Sequence, residues 1–192
     1  MKHKFAIIGL GIMGRRMLEN VLRHPDFEVC GLWDPSTDSV AKTRLISPNA
    51  PIAQSAKAAM HEAHVVYLAC PPGPRKTYAL EAAANGQGVF MEKPLGTDNV
   101  QSRELVTQLA KARLPSVVNF TQAASRGFEE LSRSIQAGEA GELLGIDIVV
   151  NYPAWPAHGK GMQIGCAFAM KAATPERSYR ISCFWLNAFW AH

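Results

Sequence analysis

Apolar runs and amphipathic stretches alternate along the first two-thirds of the chain. Phe5-Ala6-Ile7-Ile8 is an unbroken apolar run that ends in Gly9-x-Gly11-x-x-Gly14. Behind it Met17, Leu18, Val21 and Leu22 fall on one helical face, which predicts a strand, a tight turn and a helix from about Met13 to His24. Pro25-Asp26 stops that helix. Val29-Cys30-Gly31-Leu32-Trp33 reads as a second strand ending at Asp34, with a polar helix from roughly Ser36 to Leu45. Pro48 and Pro51 bracket a loop to a short third strand near Ile52, and Ser55 reads as an N-cap for Ala56 to His61. His64 to Ala69 is a buried strand, closed by the rigid Cys70-Pro71-Pro72-Gly73-Pro74 turn. Arg75 to Asn85 reads as helix ended by Gly86. Gly88 to Met91 is a strand with Glu92-Lys93-Pro94 at its tip. Asp98 caps a helix through Ala112, and Pro115 to Asn119 makes a sixth strand.

Strands alternating with helices over about 118 residues predict an α/β fold, a doubly wound parallel sheet. Ligands in such sheets bind beyond the carboxyl ends of the strands, where Gly9, Asp34, Pro71, Lys93 and Asn119 would gather. The first domain is therefore expected to span residues 1–118. From Phe120 the pattern changes. Ser125 to Ala137 is helical, Gly138-Glu139-Ala140-Gly141-Glu142 is a turn, and Leu144 to Val150 looks like a strand. Residues 119–157 read as the incomplete start of an α+β second domain, and 158–192 as an atypical tail.

The glycine spacing carries chemistry because of its strand–turn–helix setting. Gly9 permits the tight turn, Gly11 lets a pyrophosphate approach the backbone, and Gly14 lets helix and strand pack closely. The first helical turn, with Ile12 and Met13, would present its N–H groups and dipole to the phosphates. Asp34 stands 20 residues after Gly14, where an acid at the tip of the second strand accepts hydrogen bonds from ribose hydroxyls and repels a 2′-phosphate. NAD is thus expected over NADP. The alternative for Asp34 is a helix N-cap or turn residue, since Pro35-Ser36 follows.

The chain has 192 residues, of which 47% are hydrophobic, enough for a real core. Its 20 Lys+Arg against 16 Asp+Glu give a net charge of +4, but the basic residues are scattered, which argues against nucleic acid as a partner. There is no apolar stretch of about 18 residues, so no membrane span is expected. Cys30, Cys70, Cys166 and Cys183 have neither metal nor disulfide-framework spacing. They read as reduced thiols of a cytoplasmic protein without a metal site.

These marks together resemble the Gfo/Idh/MocA family of NAD(P)-dependent oxidoreductases. The shared residues are Gly9, Gly11, Gly14, Asp34, the Pro71-Pro72 turn, Glu92-Lys93-Pro94 and Asn119, followed by the helix–Gly–x–x–Gly–strand run from Ser125 to Val150. The resemblance covers roughly the first 157 residues. It implies hydride transfer between a nicotinamide and a hydroxyl-bearing carbon, often of a sugar or cyclitol. Lys93 would hydrogen-bond the substrate oxygen and help move its proton, as a buried ammonium of lowered proton affinity can. Pro94 would lie near the nicotinamide, often after a cis bond in the family, and Glu92 would orient the loop. Read without the resemblance, Glu92 and Lys93 are an ordinary pair in a solvated loop. Many members carry a His where Arg75 aligns; Arg75 is expected at the surface, with contact to a cofactor phosphate as the alternative. Relatives commonly pair through the second domain's sheet, while the sequence itself leaves the oligomeric state open between monomer and homo-oligomer. Tyr152 and Trp155 would reach a substrate or lie in an interface.

The tail departs from the family. His158 and His192 have no group placed to orient them as the missing base. Codons compatible with the tail, read from the third base of the His158 codon, allow Ser-His-Phe-Leu-Phe-Leu-Ala-Glu-Arg-Leu-Leu-Gly-Pro, which looks like the family's second domain. The tail is accordingly expected to be a frameshift product, with one base lost or two gained near Ala157–His158. A genuine short variant whose terminal aromatics pack on the sheet or a partner chain is the alternative. With its substrate cover incomplete, the chain is expected to bind NAD modestly and turn over weakly or not at all.

Overall fold

The computed structural model describes residues 1–121, 123–139, 141–142, 146–151, 167–173 and 178–184. The chain divides into two units, Met1–Phe120 and Thr121–His192.

Unit 1 is built from the alternation seen in the sequence. Its elements are β1 (His3–Ile8), α1 (Ile12–Arg23), β2 (Phe27–Trp33), α2 (Thr37–Ile46), α3 (Ala56–Met60), β3 (Val65–Leu68), α4 (Pro72–Ala84), β4 (Gly88–Glu92), α5 (Asn99–Ala112) and β5 (Ser116–Asn119). All five strands are parallel, in the order β2-β1-β3-β4-β5. The third strand expected near Ile52 is only a single bridge from Ile52 to Leu32, so the sheet has five strands rather than six. The Pro51 carbonyl accepts from the Leu32 N–H, and the Ala53 N–H donates to the Leu32 carbonyl; a proline beside the bridge can donate no further rung.

Two apolar layers sandwich the sheet, as parallel sheets require. Phe5, Ile7, Leu32 and Tyr67 pack with Leu18 and Val21 of α1 on one face. Ala6, Ile8, Val66, Leu68, Val89 and Met91 pack with α3, α4 and α5 on the other. Three helices begin at side-chain caps foreseen or implied by their serine or aspartate: Ser36 accepts from Ser39 N–H, Ser55 from Ala58 N–H and Asp98 from Gln101 N–H. α4 begins earlier than expected, at Pro72. Proline suits the first turn because its missing N–H would have had no helical partner. Strand order reverses across β1 and β3, and the ligand crevice of such a sheet lies outside the carboxyl ends at that point.

Unit 2 contains α6 (Arg126–Gln136), capped by Ser125 accepting from Phe128 N–H, and an antiparallel sheet of β6 (Ile146–Asn151), β7 (Ala167–Ala173) and β8 (Ser178–Phe184) in that order. The junction at 157–158 and Tyr152, Trp155, His158 and His192 lie outside the described residues.

Candidate dinucleotide site

The β1–α1 turn is shaped by two close backbone approaches. Gly9 has φ +97°, and its N–H donates to the Trp33 carbonyl at 2.8 Å, tying β1 to the end of β2. A Cβ on Gly9 would stand 2.5 Å from the Cys70 nitrogen, so the turn also abuts the end of β3. A Cβ on Gly14 would stand 1.9 Å from the Gly9 carbonyl oxygen, which is the close helix–strand packing expected of it. Gly11 differs: a Cβ there would meet nothing within 4 Å. The space above it is open, and Gly11 caps α1 without any side-chain hydrogen bond to the first turn. A backbone with room above it, at an uncapped helix N-terminus, suits a pyrophosphate.

Asp34 holds this turn from the side. Its Oδ2 accepts from Leu10 N–H at 2.6 Å and its Oδ1 from Ser36 N–H at 2.8 Å. The turn role considered from sequence is therefore real, while the N-cap of α2 is Ser36. Each carboxylate oxygen keeps a further lone pair. Two backbone clamps fix the carboxylate in place without exhausting its capacity to accept from ribose hydroxyls.

A cleft of about 530 Å³ runs along this edge. Its wall brings together Gly9, Gly11, Met13, Asp34, Pro71, Glu92 and Lys93 from the ends of four strands, β1 to β4. Gly14, Ile12, Pro94 and Asn119 are not on that wall: Gly14 packs inward, Ile12 is exposed, and Asn119 acts through Glu92. The wall also includes Trp33, Cys70, Arg75 and Tyr78, which sequence reasoning did not place there. Trp33 and Tyr78 meet edge-to-face at 6.1 Å, closing the cleft beside Asp34. A second concavity, about 310 Å³, lies against the amino-terminal halves of the strands and is lined by Phe5, Phe27, Val65, Phe90 and Val117. It is larger in apolar character but offers little to orient a polar ligand.

The far end of the cleft is held from beneath. Glu92 is 4% exposed, and its Oε1 accepts from the Tyr67 hydroxyl at 2.5 Å and the Asn119 amide at 2.6 Å. One carboxylate oxygen thus joins the ends of β3, β4 and β5. Burial first, then the hydrogen bond to Glu92 and its charge, push the Tyr67 phenol well above its ordinary range, so it remains a donor. Through its carboxylate Glu92 braces the sheet.

Two expectations are corrected. Arg75 is not at the surface: it is 2% exposed, because α4 starts at Pro72 and its first turn faces the sheet. Its Nη1 donates to the carbonyls of Glu92 (2.5 Å) and Pro94, and its Nη2 to that of Cys70 (2.6 Å). Burial raises the proton affinity of the Cys70 thiol, with the Arg75 guanidinium opposing. Lys93 is exposed rather than buried, since β4 ends at Glu92 and the turn carries the next residue beyond the rim. The Lys93–Pro94 peptide is cis. Of the brace, Glu92 and Asn119 were expected at this edge; the signal for Tyr67 is a polar-tipped ring in an otherwise aliphatic buried strand, which needs a partner for its hydroxyl. Arg75 gave no such hint.

Residues 3–120 match the Gfo/Idh/MocA oxidoreductase family in its NAD-binding Rossmann fold. The chain belongs to this family. It is 27% identical over 144 residues to an inositol 2-dehydrogenase of Gluconacetobacter diazotrophicus, an alignment covering 72% of this chain and 43% of the relative. Among solved structures, myo-inositol 2-dehydrogenase of Lactobacillus plantarum superposes with a TM-score of 0.70 at 16% identity, over 78% of this chain and 45% of that one. The scyllo-inositol dehydrogenase of Lactobacillus casei, solved with NAD(H) and scyllo-inositol, gives 0.68 at 17% identity over 78% and 45%. The chain therefore spans less than half the length of these relatives. Among the described residues no helix is long and apolar enough to cross a membrane, and no cluster of three or more His, Cys, Asp or Glu could hold a metal.

Proposed function

We propose that this chain binds NAD in preference to NADP along the cleft and serves hydride transfer to or from a hydroxyl-bearing carbon of a sugar or cyclitol. The observation that carries the reading is convergence: the open backbone at Gly11, the clamped Asp34 carboxylate and Lys93 lie on one wall. The residues present fit the cofactor. The uncapped start of α1 and the space above Gly11 suit its pyrophosphate, and Asp34 suits its adenosine ribose. When bound, the nicotinamide supplies the hydride acceptor or donor. Lys93 hydrogen-bonds the substrate oxygen and holds or releases the proton there. Pro71 lines the cleft beside Lys93, and Pro94 follows Lys93 in the chain. The inositol-acting relatives favour a polyol as substrate.

A second reading is a dinucleotide-binding protein with no turnover. It is favoured by the described cleft wall, which carries no histidine to partner Lys93. Calorimetry with NAD and a steady-state assay with myo-inositol decide between them. Rapid NAD reduction, abolished by Lys93→Ala with NAD affinity kept, supports the first reading. NAD binding without reduction supports the second. No NAD binding, together with no effect of Asp34→Ala, removes both. The out-of-frame origin of residues 158–192 stands as a separate proposal, tested by the nucleotide sequence across Ala157–His158: a restored base must open a long coherent second domain.

A further inference from the structure

We infer that Arg75 is the positioning residue for Lys93. This rests on the reading of Lys93 as the proton-moving group. The carbonyls that Arg75 binds stand on either side of Lys93 in the chain, one from Glu92 and one from Pro94. A third, from Cys70, ties the same guanidinium to the end of β3. Lys93 is thus the exposed middle of a three-residue turn whose two flanks are pinned to one buried, planar cation. No carboxylate forms an ion pair with Arg75 among the described residues, so its charge is met by three carbonyl dipoles and the neighbouring Cys70 thiol. Its Nε is buried with no partner. A buried cation so incompletely satisfied is costly, and a side chain placed only for stability would be better apolar. What the guanidinium provides is geometry. It offers five N–H donors in a fixed plane, whereas an imidazole offers two at most and cannot reach three carbonyls at once.

The consequence is a division of labour inside the motif. Glu92 is held through its carboxylate by Tyr67 and Asn119, and through its carbonyl by Arg75. Pro94 is held through its carbonyl by the same guanidinium. Lys93 contributes only its side chain, presented from a turn that cannot rock without breaking charge-assisted bonds.

The test uses the full chain, with Arg75→Met and Arg75→Lys. Amide hydrogen exchange is read first, without cofactor. Arg75→Met is expected to speed exchange across residues 91–95 by about tenfold or more while leaving residues 3–8 unchanged, and Arg75→Lys to restore part of the protection. The second readout is acetylation of Lys93 by acetic anhydride, followed by mass spectrometry with Lys57 as the internal control. NADH is expected to slow Lys93 labelling about fivefold in the native chain. In Arg75→Met that protection is lost although NADH affinity changes by less than about threefold, since the adenosine half of the cleft is untouched. Unchanged exchange with intact protection in Arg75→Met overturns the proposal. So does equal acceleration in residues 3–8, which makes Arg75 a residue of the fold alone. If Arg75→Met does not fold, Arg75→Lys and Arg75→Gln carry both measurements. Native Lys93 that NADH leaves unprotected, despite bound NADH, removes the proton-moving role of Lys93 instead, while the exchange data still judge the hold of Arg75 on the turn.

Discussion

The two ends of the cleft are built by opposite means. At the Gly9–Gly14 end the protein works by omission: side chains are missing so that backbone can approach backbone at Gly9 and Gly14, and so that space stays open at Gly11. At the Glu92–Pro94 end it works by insertion, with buried Tyr67, Arg75 and Glu92 reaching across three strands to fix a turn. The first end gains order from sterics and a helix terminus. The second gains it from hydrogen bonds in a low-dielectric interior, where each partner matters more than it would in water. A binding half can be made of backbone because phosphates are recognised by N–H groups. A reacting half needs one side chain held in one place.

This contrast can be broken at several points. The largest effect is expected from Gly14→Ala, which forces a Cβ to within 1.9 Å of the Gly9 carbonyl oxygen. It should cost about 3 kcal/mol or more of stability in urea unfolding, with NAD binding lost alongside. Asp34→Ala should weaken NAD binding by about a hundredfold in calorimetry. It leaves the Leu10 and Ser36 N–H groups unpartnered, so stability should also fall by about 1–3 kcal/mol. Gly11→Ala should separate binding from folding: its Cβ enters empty space, so stability stays within about 0.5 kcal/mol while NAD affinity drops about tenfold. The smallest change is Tyr67→Phe, which removes one donor to Glu92 at about 1–2 kcal/mol.

Tyr67→Phe also sharpens the comparison through pH. The Tyr67 phenol is raised above its ordinary value in the folded chain. Its contribution is therefore complete below the unfolded tyrosine value of about 10 and is lost as pH rises beyond it, because the unfolded chain ionises first. Urea midpoints between pH 9 and 11.5 should fall more steeply for the native chain than for Tyr67→Phe, by up to about 1.4 kcal/mol per pH unit. Equal slopes would show that the phenol is no more protected than an exposed one.

The glycine end was legible in the sequence and the other end only by its tip. Gly9, Gly11 and Gly14 act through local spacing, which a strand–turn–helix pattern is enough to read, and Asp34 was placed by its position at the tip of the next strand. Lys93 could be assigned by resemblance. Asn119 was expected at the same edge, but its bond to Glu92 was not, nor the part of Arg75 and Tyr67, because these residues lie 17 to 27 positions from Glu92 and become neighbours only when the parallel strands align. Arg75 was misplaced for a definite reason: an arginine in a helix's first turn is usually solvated, and nothing local says that this turn faces three carbonyls. The Ile52 strand was overread because an apolar residue directly after a proline looks extended, yet a single bridge satisfies it. The element pattern itself carried through, since alternating apolar runs leave a parallel sheet little freedom.

The carboxylate oxygen shared by Tyr67 and Asn119 couples cofactor occupancy to the melting of the whole Rossmann unit. Because that oxygen fastens the ends of β3, β4 and β5 to one another, the cleft floor cannot open strand by strand; it comes apart when the sheet does. A nucleotide that recognises only the assembled floor then shifts global unfolding by mass action, rising about 1.4 kcal/mol for each tenfold excess over its dissociation constant. Heat alone, with no turnover required, is enough to rank the nucleotides this cleft accepts.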